Sequence, residues 1–331
     1  MKRICMIILF NLILFLFITT TSYAAPPVPM GIVTGSTKGT YYQFGLNIAE
    51  LVKTKNIQLS VSPSKGSVEN IYAVFKRPRT QLGIVQADVL AFVSRIETDP
   101  VLQQIAKKIK LVFPLYNEEI HLIGNNTLTE FADLAGKKVA IGTEGSGTYL
   151  TARLLFEISG VTPGKTITIG TNEALAQLKA GQIDAMFYVA GYPVKLFSDE
   201  ISDSDNLMLV PIRNEAIGEF YPETDIPAGT YSWQQQTVPT KAVKAVLVSY
   251  NFRNKNCANV GRIGSYIDEN LEWLQENGHP KWNAVDLDFP LKGWEQYDCV
   301  QKRLKDRRPA NTKRTETVNP VLEAIKDVLQ N

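Results

Sequence analysis

Histidine and cysteine are scarce in this chain, with two of the first and three of the second among 331 residues. There is no His-Glu-x-x-His, no Cys-x-x-Cys and no Gly-x-Ser-x-Gly. The zinc-peptidase, thiol-redox and serine-hydrolase arrangements that need those spacings are therefore left out. One run, Gly160-Val161-Thr162-Pro163-Gly164-Lys165-Thr166, resembles a phosphate loop. It holds three residues between its glycines where four are needed, and it follows a helical pattern instead of a strand. An excess of charge of one sign is also missing. Lys and Arg number 35 and Asp and Glu 33, and residues 1–24 hold Lys2, Arg3 and no acid, so the remainder carries 33 of each sign. A neutral body has no bulk attraction for nucleic acid or anionic membranes. Past the N-terminus, no apolar run reaches the roughly 20 residues that span a bilayer. These absences lead to the expectation of a non-enzyme with no catalytic residues, no cofactor, no metal and no nucleic-acid partner.

What is present is an ordinary globular composition, 44% hydrophobic and 21% charged, at a length that favours two compact units. Residues 1–24 have the form of an export signal. Lys2 and Arg3 precede an apolar stretch from Ile4 to Ile18, interrupted by Asn11, and small residues stand at Ser22 and Ala24. Cleavage is expected after Ala24; the other reading, a retained anchor, meets a run shorter than a bilayer. The mature chain is expected in the periplasm. Losing Cys5 then leaves Cys257 and Cys299, an even pair in an oxidising compartment. A disulfide between them is favoured over two separate buried thiols.

Along the body, strands and helices alternate. Strands are expected at Met30–Thr34, Ile57–Val61, Leu82–Val85, Leu111–Leu115, Ile120–Gly124, Val139–Ile141, Ile167–Ile169 and Ala185–Tyr188. Helices are expected from Tyr41 to Leu51, from Ser67 (as N-cap) to Phe75, and over Asp88–Ile96, Thr148–Ser159 and Glu173–Lys179. The stretch Phe220–Gly229 reads as a crossing segment, and Val238–Tyr250 as a long ordered one. The alternation implies an α/β fold with two lobes, each a mostly parallel sheet flanked by helices, joined by a hinge of crossing strands. Lobe 1 takes residues 25–115 and 235–331, and lobe 2, inserted in it, takes 116–234.

Three strand-to-helix turns are rich in Gly, Ser and Thr: Gly35–Tyr41, Ser64–Ser67 and Glu144–Tyr149. Small turns let a ligand approach the backbone, and helix N-termini present free N–H groups with positive dipole. In open α/β sheets ligands lie outside the carboxyl ends of the strands, where these turns sit. Taken singly, each turn is as well read as a helix cap. Gly-Thr-Tyr occurs at 39–41, 147–149 and 229–231. His121 lies in an apolar run and reads as a satisfied structural histidine. The tract Lys302, Arg303, Lys305, Arg307, Arg308, Lys313 and Arg314 reads as a solvated face, with docking onto a membrane protein or anionic headgroups as the alternative.

The ordered set Gly35-Ser36…Gly39-Thr40-Tyr41-Tyr42, Ser64…Gly66-Ser67…Asn70, Gly83-Ile84-Val85-Gln86…Asp88, Pro114-Leu115-Tyr116 with His121, Asp133-Leu134…Gly136-Lys137-Lys138-Val139, Gly145-Ser146-Gly147-Thr148, Gly181…Asp184-Ala185…Phe187-Tyr188…Gly191 and Ile226-Pro227…Gly229-Thr230-Tyr231 resembles the TAXI family. These are the solute-binding receptors of tripartite ATP-independent periplasmic (TRAP) transporters. The resemblance runs from Met30 to Tyr297. It departs at Lys38, Gln43, Glu144 and Tyr149, and around Leu291-Lys292-Gly293-Trp294. It implies a type II periplasmic-binding fold that closes on a small solute and delivers it to a TRAP membrane permease. Separately, a monomer is expected. The turns suggest a small carboxylate: a dicarboxylate, a 2-oxoacid or an acidic amino acid. Its expected contacts are Ser36, Thr37, Gly39, Thr40, Tyr41, Ser67, Gln86, Ser146, Gly147, Thr148, Tyr188 and Tyr231. The alternatives are a binding protein of an ATP-driven importer, an exported enzyme with His121 as its acid or base, and, alongside any of these, a surface antigen.

Overall fold

The computed structural model describes residues 26–305 apart from 90–92, 94–98, 219–220 and 292–293. The leader, the basic residues from Arg307 onward and most of the helix expected over 88–96 lie outside the described residues; residues 87–89 and 93 are helical.

The first wing opens with β1 (Val28–Val33), α1 (Thr40–Lys53), β2 (Ile57–Ser62), α2 (Ser67–Lys76), β3 (Leu82–Gln86) and α3 (Pro100–Ala106). β1 pairs in parallel with both β2 and β3. On α1 the expected face is buried, with Tyr41, Phe44, Ile48 and Leu51 at spacings of three and four. β4 (Ile109–Asn125) leads to β5 (Lys138–Ala140), α4 (Gly147–Ser159), β6 (Lys165–Ile167), α5 (Thr171–Lys179), β7 (Ala185–Ala190), α6 (Lys195–Glu200), β8 (Leu207–Leu209), α7 (Glu215–Gly218) and β9 (Glu223–Ile226). β5 is parallel to β6 and β7. β10 (Val238–Tyr250) returns the chain to the first wing, followed by α8 (Asn254–Glu269), α9 (Leu271–Asn277), a 3-10 turn at Pro280–Ala284 and α10 (Asp298–Lys305).

The strand order is β2-β1-β3-β10-β4-β7-β5-β6, with β8 on β4 and β9 on β10. Two parallel sets are thus bridged by the antiparallel pair β4 and β10, which are the crossing strands. Phe220–Gly229, expected to cross, instead contains β9, which pairs antiparallel with the start of β10. The expectation of separate strands at 111–115 and 120–124 is also corrected. Both belong to the 17-residue β4. The polar residues between them read as a break, but Asn117, Glu118 and Glu119 sit opposite Lys244, Val243 and Ala242 of β10 and stay in the ladder. Both carboxyls are buried against specific partners, Tyr41 and Lys281.

Apolar packing follows the same division. One pair of clusters draws on residues 30–116 and 245–304, including Trp282 stacked on Phe44 at 4.2 Å. The other pair draws on 120–243. Leu150 and Leu154 of α4 are the exception, since they pack with Ile71, Val74 and Val85 of the first wing. Cys257 on α8 and Cys299 on α10 form a disulfide, with Cα atoms 5.7 Å apart. No helix among the described residues is long and apolar enough to cross a membrane.

Candidate functional site

A cavity of about 240 Å³ lies where the two wings meet. Its wall holds the starts of four helices: Thr40 of α1, Ser67 of α2, Gly147 and Thr148 of α4, and Thr171 of α5. The first-turn N–H groups of a helix have no partner within it, and they carry the positive end of the dipole. α1 and α4 have no acidic side chain in the first turn to offset that field. α2 differs. The Val68 N–H donates to the Gly145 carbonyl at 3.2 Å, and the Lys65 N–H donates to the Glu69 carboxylate. Its end serves to tie one wing to the other.

The turns reach this geometry through glycine at two decisive places. Gly66 holds φ at +124°, a conformation closed to other residues without strain. At Gly147 a Cβ would fall 1.4 Å from Gln86 Oε1, so only a bare backbone lets the two wings approach there. Gln86 is 2% exposed, lines the cavity, and neither atom of its amide has a hydrogen-bond partner. A buried amide without partners is costly, and an incoming polar group is what would satisfy it.

Of the twelve expected contacts, the structure brings ten together on the cavity: Ser36, Gly39, Thr40, Tyr41, Ser67, Gln86, Ser146, Gly147, Thr148 and Tyr188. Several have structural partners already. The Thr40 hydroxyl donates to the Gly191 carbonyl at 2.7 Å, Thr148 Oγ1 accepts from Val189 N–H, and Ser146 caps α4 through Tyr149 N–H. Ser67, expected as a helix cap, is instead the first helical residue, with Gly66 at the cap; its hydroxyl accepts from the Gln86 N–H. Tyr188 bonds Ser36, and burial pushes its phenol up to about 12, so it stays a neutral hydroxyl.

Two expected residues fall elsewhere. Thr37 is exposed and away from the cavity. Tyr231 is buried behind it; its hydroxyl accepts from Val194 N–H and meets His121 Nε2 at 2.8 Å. Since that hydroxyl then donates to Nε2, the His121 Nδ1–H is left to donate to the Glu119 carbonyl at 3.0 Å. Burial draws His121 down to about 4, so it is a neutral structural histidine. The third Gly-Thr-Tyr, at 229–231, is a turn closed by the Thr230 hydroxyl on Pro227 O and begins no helix.

Other wall residues were not anticipated: Glu118, Gly142, Thr143, Gly170 and Thr171. The dipeptide Gly-Thr at 39–40, 147–148 and 170–171 marks three of the four helix starts, a signal present in the sequence. In the sequence Glu118 stands only as a charge in the polar break between two expected strands. It is 2% exposed, its Oε2 accepts from the Tyr41 hydroxyl at 2.7 Å, and burial holds it well above the usual carboxylate range. No group of three or more His, Cys, Asp or Glu among the described residues could hold a metal ion.

Around the cavity the wings are joined directly. Besides Val68 to Gly145 and Thr40 to Gly191, Asp88 Oδ2 accepts from the hydroxyls of Thr151 on α4 and Tyr221, each at 3.0 Å. Lys38 pairs with Glu200 at 3.1 Å at the surface. Behind the cavity, a buried Lys281–Glu119 pair at 2.6 Å fastens the 3-10 turn to β4.

The NMT1-like family model matches residues 32–277. Among solved structures, the chain is similar to the periplasmic binding protein BugD (13% identity, 92% of this chain and 98% of that one, TM-score 0.56). It is also similar to MatC from Rhodopseudomonas palustris with bound malate (16% identity, 92% and 100%, TM-score 0.56). A third, described as a periplasmic transporter, gives 15% identity over 77% and 88% at TM-score 0.50. At these identities the likeness is one of fold: the two-lobed architecture of periplasmic binding proteins.

Proposed function

This chain belongs to the NMT1-like family, and we propose that it is an extracytoplasmic solute receptor that captures a small carboxylate between its lobes. The observation that carries this reading is the cavity between the wings. Two helix N-termini with no acid in their first turns open onto it from opposite wings, beside the partnerless Gln86 amide. Preorganised N–H donors at helix ends hold an anion without a dedicated arginine, which suits a body whose 33 basic and 33 acidic residues past residue 24 balance. Among the described residues, lobe 1 takes 26–115 and 235–305, and lobe 2 takes 116–234. The contacts are the ten cavity residues of the sequence set, joined by Glu118, Thr143 and Thr171. The malate held by MatC is a ligand of the proposed size and class.

The motifs shared with TAXI receptors support delivery to a TRAP-type permease, and the leader at 1–24 supports export to the periplasm. Bound solute would be passed on unchanged. A thermal-shift screen of the mature chain against dicarboxylates, 2-oxoacids and acidic amino acids tests the reading. A ligand at 100 times its Kd adds about 2.7 kcal/mol, a rise of several degrees. No response to any carboxylate, with stabilisation by a neutral sugar or a cation, would sink it.

A further inference from the structure

Glu118 is an odd companion for an anion site. Among the described residues on the cavity wall it is the only acid, and the only base is the exposed Lys65. Every charged or titratable group facing Glu118 bears on its state. From α1 the Tyr41 hydroxyl donates to Oε2, and from β4 come Tyr116, whose buried hydroxyl has no partner, and Glu119. Asp88 faces it from the helical residues after β3, Tyr188 from β7, and Lys281 from the 3-10 turn. Lys244 of β10 lies next to Glu119. Lys281 is the cation that bears on Glu118, and it is bound to Glu119 at 2.6 Å. Two acids and three phenols therefore surround Glu118 with no cation in contact. Burying an ionised carboxylate in that setting is strongly unfavourable.

From this geometry, and resting on the carboxylate reading above, we propose that Glu118 enters the site as a neutral acid and donates its O–H to the bound carboxylate. Oε2 already accepts from Tyr41, so the proton belongs on Oε1, and a neutral carboxyl has one donor to place. The cavity is where an acceptor can reach it, and an O–H···O⁻ bond is short and charge-assisted. An ionised Glu118 would put like charge beside the ligand, so binding above its ionisation range takes up one proton from solvent. Glu118 then selects ligands with a carboxylate at this end of the cavity over ligands with an ammonium group there.

The test is calorimetric titration of the mature chain between pH 5 and 9, in buffers of different ionisation heat. The probes are 2-oxoglutarate and L-glutamate, which differ in the amine. For the wild type, 2-oxoglutarate affinity should fall as pH rises through the ionisation of Glu118, by at most tenfold per unit, with proton uptake on binding. Glu118→Gln keeps an N–H donor but does not titrate; it should bind 2-oxoglutarate with a flat pH profile and no uptake. Glu118→Ala should lose affinity at every pH. Melting curves of each variant check the fold. Proton release on binding, glutamate tightening as pH rises, or the wild-type slope persisting in the Gln variant would each overturn the role of Glu118 while leaving the carboxylate site standing. Failure of both probes and of every other carboxylate would remove the site reading and this inference together.

Discussion

Asp88 shows how one buried group makes stability depend on pH. Its carboxyl accepts two hydroxyl hydrogen bonds from the second wing, yet burial, the largest effect on it, pushes it from 3.8 up to about 6. An acid raised in the folded state contributes stability that is full below its unfolded value and lost as pH climbs through the folded one. Between pH 3 and 7 the wild type should therefore lose about 3 kcal/mol through this residue alone. Asp88→Asn keeps an acceptor for Thr151 and Tyr221 and cannot ionise. The difference between wild-type and variant urea stabilities, measured from pH 3 to 7, should trace that loss, and a flat difference would contradict it. Gly147 offers a second test at this scale. Valine there forces Gln86 off its seat and fills the wall of the cavity, at roughly 1–3 kcal/mol. Carboxylate affinity should drop tenfold or more with the far-UV circular dichroism unchanged. Equal affinity in Gly147→Val would show that the ligand binds elsewhere.

Among the elements, α8 and α10 depend on a covalent tie. Eight residues of α10 are described, and of these Val300 and Leu304 are buried, a small apolar face to hold them in place. The Cys257–Cys299 bond closes a loop of more than forty residues. Replacing both with serine should cost about 4 kcal/mol by the chain-entropy argument, seen as a lower urea midpoint. Reduction of the wild type should reproduce the loss, and a midpoint unmoved by either would contradict it. The elements also show what could be read before the structure. Helices such as α1, whose buried face repeats every three or four residues, were legible, as were the β strands that run between glycine turns. β4 was not, because its middle is polar. Glu118 and Glu119 look like a loop until a tyrosine on α1 and a lysine some 160 residues later supply their partners. Cavity residues in a strand-to-helix turn, such as Ser36 and Gly147, are legible from the turn they occupy. Glu118 is not, because its place on the wall depends on contacts distant in sequence. Tyr231 lies behind the cavity, held by Val194 and His121, which its own neighbours in sequence do not reveal.

At the scale of the whole molecule, two parallel sets of strands share one antiparallel bridge, and polar links between the wings gather near the cavity. Among the described residues these include Val68 to Gly145, Thr40 to Gly191, Asp88 to Thr151 and Tyr221, and the exposed Lys38–Glu200 pair, which at the surface is worth little, beside the apolar packing of Leu150 and Leu154 on the first wing. Such an interface can open at modest cost, and a ligand that touches α1 and α4 at once shifts the balance toward the joined form by the contacts it makes only there. The most direct measurement of this account is a crystal structure of residues 25–331 with the small molecule that stays bound through purification, identified by mass spectrometry. The account predicts a carboxylate between the wings, accepting hydrogen bonds from the N-terminal N–H groups of α1 and α4 and from Gln86. A neutral or cationic molecule in that cavity, or a carboxylate bound outside it, would contradict the central claim.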